Sequence, residues 1–231
     1  PGIIDWRVSA RAGHLVVREF DVEESLELLL MLDVGRLGEL VLGTLDAHGH
    51  AINVAARIAE RSEVEGDRYG LVTFADRVET RIVPARGPLH LRQVRAALTG
   101  ARVVPVESNP LPAALAVRQL LRRRSLVLVF TTLDDPDAAG QLVRAVRVLA
   151  NRHVPLVVAL RDRSIDALAA REAEDEADAY RSLAAREYRR EIDGTRRQLA
   201  ALGAEIVEAP PQAVEAAVLE RCLRLRVRRR V

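Results

Sequence analysis

Two unbroken apolar runs divide the chain, and both stop at polar residues. Residues 27–32 lead into Asp33 and Gly35, and residues 125–130 lead into Thr131, Thr132, Asp134 and Asp135. Short runs apolar at successive positions predict strands covered on both faces, each delivering oxygen-bearing side chains at its C-terminal end. Residues 154–160 and 204–207 predict two further strands, and residues 69–74 and 78–83 a pair turned at Asp76-Arg77. Helical spacing appears between them: 45–61, with Ile52, Ala55, Ala56 and Ala59 on one face; a stretch holding Leu91, Val94 and Leu98; 115–121; and 138–150. Pro84, Gly87 and Pro88 break the strand at 78–83. Residues 102–106 read as extended, and Glu107-Ser108-Asn109-Pro110 as a loop that starts a helix.

Strand alternating with helix predicts an α/β fold: a doubly wound, mostly parallel, Rossmann-type sheet with helices on both faces and one short antiparallel edge strand. Residues 171–202 extend the pattern as a long charged helix or helix pair. Glu172, Glu174, Asp175 and Glu176 cluster at its start, and Asp178, Ala179 and Tyr180 sit near a junction. Acids and bases offset by three or four residues make this a solvated face.

Composition narrows the chemistry. None of the 231 residues is lysine, so all 35 basic residues are arginine. That excludes Schiff-base catalysis, the Walker phosphate loop and the kinase strand lysine. The single Cys222 has no partner for an internal bridge and reads as a small apolar group in a reducing compartment. No run approaches the about 20 apolar residues that cross a bilayer. The chain begins at Pro1 without a signal peptide, which reads as an excised piece of a longer protein.

A net charge of +2 and a pI near 9.2 suggest a nucleic-acid binder until the charges are located. Six arginines (Arg221, Arg224, Arg226, Arg228, Arg229 and Arg230) fall in the last eleven residues, leaving a body of net charge −4. The pattern reads as a docked terminal helix with a basic solvent side, and aromatic residues for base stacking are scarce, so no nucleic acid is expected. His48-Gly49-His50 lacks cysteine or carboxylate partners at zinc spacing and reads as a solvent-facing turn; His14, His90 and His153 are isolated. Gly35 and Gly38 do not complete a dinucleotide loop, and there is no Gly-x-Ser-x-Gly elbow.

Open α/β sheets bind ligands outside the strand C-termini, where the strand order reverses. The candidate binding surface is therefore Asp33, Gly35, Arg36, Ser108, Thr131, Thr132, Asp134 and Asp135.

Several blocks occur in order along nearly the whole chain: Ile4-Asp5-Trp6-Arg7-Val8-Ser9-Ala10-Arg11; residues 15–20; the leucine-rich strand ending in Asp33; residues 66–71; and residues 130–136. On these the chain resembles the bacterial domain-of-unknown-function fifty-eight family, whose C-terminal part is a von Willebrand factor A-like domain. The resemblance implies a lead-in segment over residues 1–25, from a missing N-terminal region, and a von Willebrand A-like domain over 26–231 with a basic C-terminal helix. It also implies membrane-spanning helices before Pro1, placing the domain at the cytoplasmic face of the cell membrane. The partner expected from the family is a MoxR-type AAA+ ATPase, and the expected role is that of an adaptor rather than an enzyme.

Von Willebrand A domains hold a divalent ion with an Asp-x-Ser-x-Ser loop, a threonine from a second loop and an aspartate after the fourth strand. Here that loop reads Asp33-Val34-Gly35-Arg36-Leu37, so Gly35 and Leu37 replace both hydroxyls, and Thr132 stands at the later aspartate position. The expectation is a degenerate metal-ion-dependent adhesion site, no cofactor, and Asp33 paired with an arginine such as Arg36. The alternative is a Mg²⁺- or Mn²⁺-dependent site in which Glu107, Ser108, Asp134 and Asp135 converge on Asp33.

Overall fold

Strand β1 (Glu27–Asp33) is central because Leu28–Leu32 can be covered from both sides. In the computed structural model, which describes residues 3–4, 6–14, 17–18, 25–42, 45–133, 136–161, 163–172 and 174–229, those five residues are at most 3% exposed. Around β1 the chain runs through α1 (Ala47–Val64), β2 (Arg68–Phe74), β3 (Val78–Ala85), α2 (Pro88–Gly100) and α3 (Pro110–Leu120). It continues through β4 (Leu126–Phe130), α4 (Pro136–Ala150), β5 (Val154–Leu160), α5 (Arg163–Ala170), α6 (Glu176–Ala201), β6 (Glu205–Ala209) and α7 (Pro211–Arg229).

The sheet order is β6-β5-β4-β1-β2-β3, parallel throughout except for β3, which runs antiparallel to β2 at the edge. This is a doubly wound order with one antiparallel edge strand, as the alternation of strand and helix implies. Side-chain alternation in β1 splits the core in two. Leu28, Leu30 and Leu32 pack with Val54, Ile58, Val94 and Val214 of α1, α2 and α7. Leu29 and Met31 pack with Val117, Leu142, Val146 and Leu199 of α3, α4 and α6.

Several boundaries differ from the sequence reading. Strand β3 continues through Pro84 to Ala85, because an edge strand can spare the missing N–H. Gly70 faces it closely: a Cβ there would lie 2.6 Å from the Ile82 carbonyl oxygen, at a shift in the β2–β3 register. Residues 102–106 form no strand; the loop is tied instead by Val104 N–H donating to Val34 O at 2.7 Å. Helix α3 begins at Pro110, capped by Asn109, whose side chain accepts from Leu111 N–H at 3.2 Å. The charged stretch divides before Asp175, which caps α6 by accepting from Asp178 N–H at 2.7 Å, so Asp178 lies in the first turn of α6 and not at a junction.

Candidate functional site

The strand ends, not the helices, assemble the site. β1 delivers Asp33 and β4 delivers Thr131, while the loop between α2 and α3 brings Ser108 from 75 residues further along the chain. That loop is fixed by Arg36 N–H donating to Val106 O at 3.0 Å and Asn109 N–H donating to Ala75 O at 2.7 Å. Helix α1, which follows β1, and α4, which follows β4, cover opposite faces of the sheet, so Asp33 and Thr131 flank the topological switch point.

Asp33 Oδ1 accepts hydrogen bonds from Gly35 N–H, at 2.8 Å, and from the Ser108 hydroxyl. Its Oδ2 accepts from Thr131 Oγ1 at 2.8 Å. Burial raises the Asp33 pKa above the usual carboxylate value, and the donors Ser108, Gly35 and Thr131 offset that shift only in part. A Cβ on Gly35 would lie 2.0 Å from Ser108 Oγ, so the serine hydroxyl fills the space into which a side chain at 35 would grow.

Of the predicted surface, Asp33, Gly35, Ser108, Thr131 and Thr132 come together at this edge. Arg36 lies beside them, but its ion pair is with Glu107 at 3.3 Å rather than with Asp33, and both side chains are exposed. Asp134 and Asp135 lie outside the described residues. Leu37 belongs to a one-turn 3₁₀ helix, Arg36–Glu39, and lines a cleft next to Asp33.

The cleft, about 40 Å³ in volume, lies between the strand ends and helices α1 and α7. Leu37, Val54, Phe130, Val158, Leu160 and Val214 form its apolar wall; Asp33, His48, His50, Thr131 and Thr132 form its polar side. The histidines correct the sequence reading. They occupy the first turn of α1, not a solvent-facing turn, and His48 is 8% exposed. Its Nε2 is 3.3 Å from the Ala101 carbonyl oxygen, and its Nδ1 is buried without a hydrogen-bond partner. The missed signal was Asp46: as N-cap it accepts from Gly49 N–H at 2.7 Å and starts the helix at Ala47, which puts His48 in line with Ala51, Ala55 and Ile58.

Among the described residues no three His, Cys, Asp or Glu side chains are grouped as metal ligands. Among the described residues the oxygens gathered at Asp33 are its carboxylate and the hydroxyls of Ser108 and Thr131, with Leu37 contributing none.

A family model described as "Protein of unknown function DUF58" matches residues 2–216. The chain belongs to this family. The DUF58 chain is 24% identical, over 161 residues, to uncharacterized protein Rv1480 of Mycobacterium tuberculosis, covering 69% of this chain and 50% of that protein. It thus spans about half the length of the curated relatives it matches. In structure it is similar to BatB from Bacteroides thetaiotaomicron, with a TM-score of 0.54 at 12% identity, covering 85% of this chain and 98% of the other. The PilB minor pilin from Streptococcus sanguinis, solved as a D319A mutant, is similar with a TM-score of 0.57 at 7% identity, covering 90% and 63%. Both likenesses concern the fold.

Proposed function

We propose that this DUF58 chain is a non-catalytic protein-interaction module that docks a partner at its strand C-terminal edge without a metal ion. The observation carrying this reading is the state of Asp33, whose carboxylate is held by three donors of the chain itself. A Mg²⁺ ion asks for near-octahedral oxygen ligands and keeps its waters. Among the described residues, one carboxylate and two hydroxyls, with no ligand from Gly35 or Leu37, fit that demand poorly. Cys222 offers no nucleophile either: burial pushes its thiol up to about 12.

The family resemblance supplies the partner, a MoxR-type AAA+ ATPase, and the setting, the cytoplasmic face of a membrane reached through an anchoring region elsewhere in the full protein. Arg36 and Glu107, exposed beside the site, are the charged groups a partner meets first. Charge reversal at Arg36 should abolish capture of the ATPase while leaving thermal stability unchanged.

One observation favours the metal-dependent alternative: the oxygens of Asp33, Ser108 and Thr131 arrive from three different segments, as ion ligands do. Calorimetric titration with Mg²⁺ and Mn²⁺ separates the two. The metal-free reading expects no saturable heat; binding lost on Asp33→Ala would replace it with the alternative.

A further inference from the structure

The end of the sheet opposite the docking edge is basic. The parallel strands all begin there, and the segments that feed them carry arginine. Arg68 opens β2, Arg118 lies in the last turn of α3, Arg122, Arg123 and Arg124 lead into β4, and Arg152 sits in the turn from α4 to β5. All of these residues are exposed. The Arg152 guanidinium donates to the Arg122 carbonyl oxygen at 2.9 Å, which ties two of the segments together. A groove between α3 and β3 is lined by Glu27, Arg68, Arg122, Arg123 and Val83.

Acids do not balance this charge. Glu27, the carboxylate of the groove, faces Arg68 at 3.7 Å and accepts from Ser125 Oγ at 3.0 Å. Glu65 and Asp67, on the turn before β2, are held by Arg226. Among the described residues Arg118, Arg122, Arg123 and Arg124 form no ion pair. The opposite end is mixed: there Arg36, Arg102 and Arg171 are accompanied by exposed Glu39, Glu107, Glu172, Glu174 and Glu176.

The layout narrows the choice of partner. A single small anion needs donors that converge on one point, and these arginines are spread over several segments. A protein interface draws its affinity from a desolvated centre with large apolar or aromatic anchors. The groove offers Val83, 59% exposed, and no aromatic side chain. Single-stranded nucleic acid asks for stacking faces that the groove also lacks. A layer of lipid phosphates asks for none of these, because it neutralises exposed guanidinium groups one by one.

We propose that this basic end of the sheet rests on a bilayer surface bearing anionic phosphate headgroups, with the docking edge turned away from it. This rests on the membrane setting proposed above and names the face of the domain that meets the bilayer.

The test is co-flotation of the whole chain with vesicles of phosphatidylcholine alone and of phosphatidylcholine with phosphatidylglycerol, at low and high salt. The expected result is binding to the phosphatidylglycerol vesicles alone, screened by salt. Replacing Arg122, Arg123 and Arg124 together by Gln should weaken it about a hundredfold. Removing the same charge elsewhere, with Arg144→Gln, Arg147→Gln and Arg190→Gln on α4 and α6, should weaken it less than about tenfold. Both sets of side chains are exposed, so neither change reaches the core. No flotation with phosphatidylglycerol, equal loss in the two triple variants, or tighter binding to duplex DNA than to the vesicles at the same salt would overturn the proposal. If flotation fails while Arg36→Glu still abolishes capture of the ATPase, the docking edge stands and the membrane face falls. If flotation holds and Arg36→Glu leaves capture intact, the membrane face stands and the docking edge falls.

Discussion

Gly35 and Ser108 share one small volume, which limits what either position tolerates. Gly35→Ser forces the Ser108 hydroxyl off Asp33 and should cost about 1–3 kcal/mol by overpacking. Combined with Ser108→Ala, much of that cost should be recovered, a non-additivity that urea denaturation of the single and double variants measures. Asp33 is legible in the sequence because it ends an apolar run. Ser108 is set beside Asp33 only in the candidate edge and in the alternative of converging oxygens, since nothing local in residues 107–110 signals a contact across 75 positions. His153 supplies a pH prediction. It is 2% exposed, and burial, reinforced by the Arg152 guanidinium, holds its pKa below the ordinary 6.5. The unfolded chain therefore takes up this proton first, so the stability is intact above pH 6.5 and is lost as pH falls toward the folded pKa. His153→Leu should flatten that slope in denaturation midpoints measured from pH 7 to about pH 5.

Helix α7 is docked, as its pattern of residues implies, but its arginines take part in the docking and do not all form a solvent side. Arg226 pairs with Asp67 and Glu65, Arg221 with Glu205, and Arg224 with Glu220. Asp67, 1% exposed, also accepts from Leu26 N–H at 2.8 Å, so Arg226 locks α7 to the entrance of β1. Arg226→Ala leaves a buried carboxylate without its cation and should cost about 3–5 kcal/mol, read by chemical denaturation. The buried strands were legible because being covered on both faces demands unbroken apolar runs. Helix starts are legible where the capping residue is read, as in residues 107–110 before Pro110, and not where it is missed: without Asp46 as a cap, His48 reads as facing solvent although the predicted helix over 45–61 contains it.

Across the whole molecule, alternation of strand and helix was enough to give the layered architecture, while the positions of loops above the sheet were not encoded in any local pattern. The order β6-β5-β4-β1-β2-β3 places the reversal between β1 and β4, and the carboxylate and hydroxyls gather there. In the reading we propose, this edge docks a partner through shape, Asp33 and the exposed Arg36–Glu107 pair, without an ion. The most direct measurement is capture of the ATPase on the immobilised chain, run in parallel with Mg²⁺ and with chelator in ATP-free buffer, for the unaltered protein and Arg36→Glu. The account predicts equal recovery in both buffers and loss with Arg36→Glu. Recovery that requires Mg²⁺, or that survives Arg36→Glu, would contradict it.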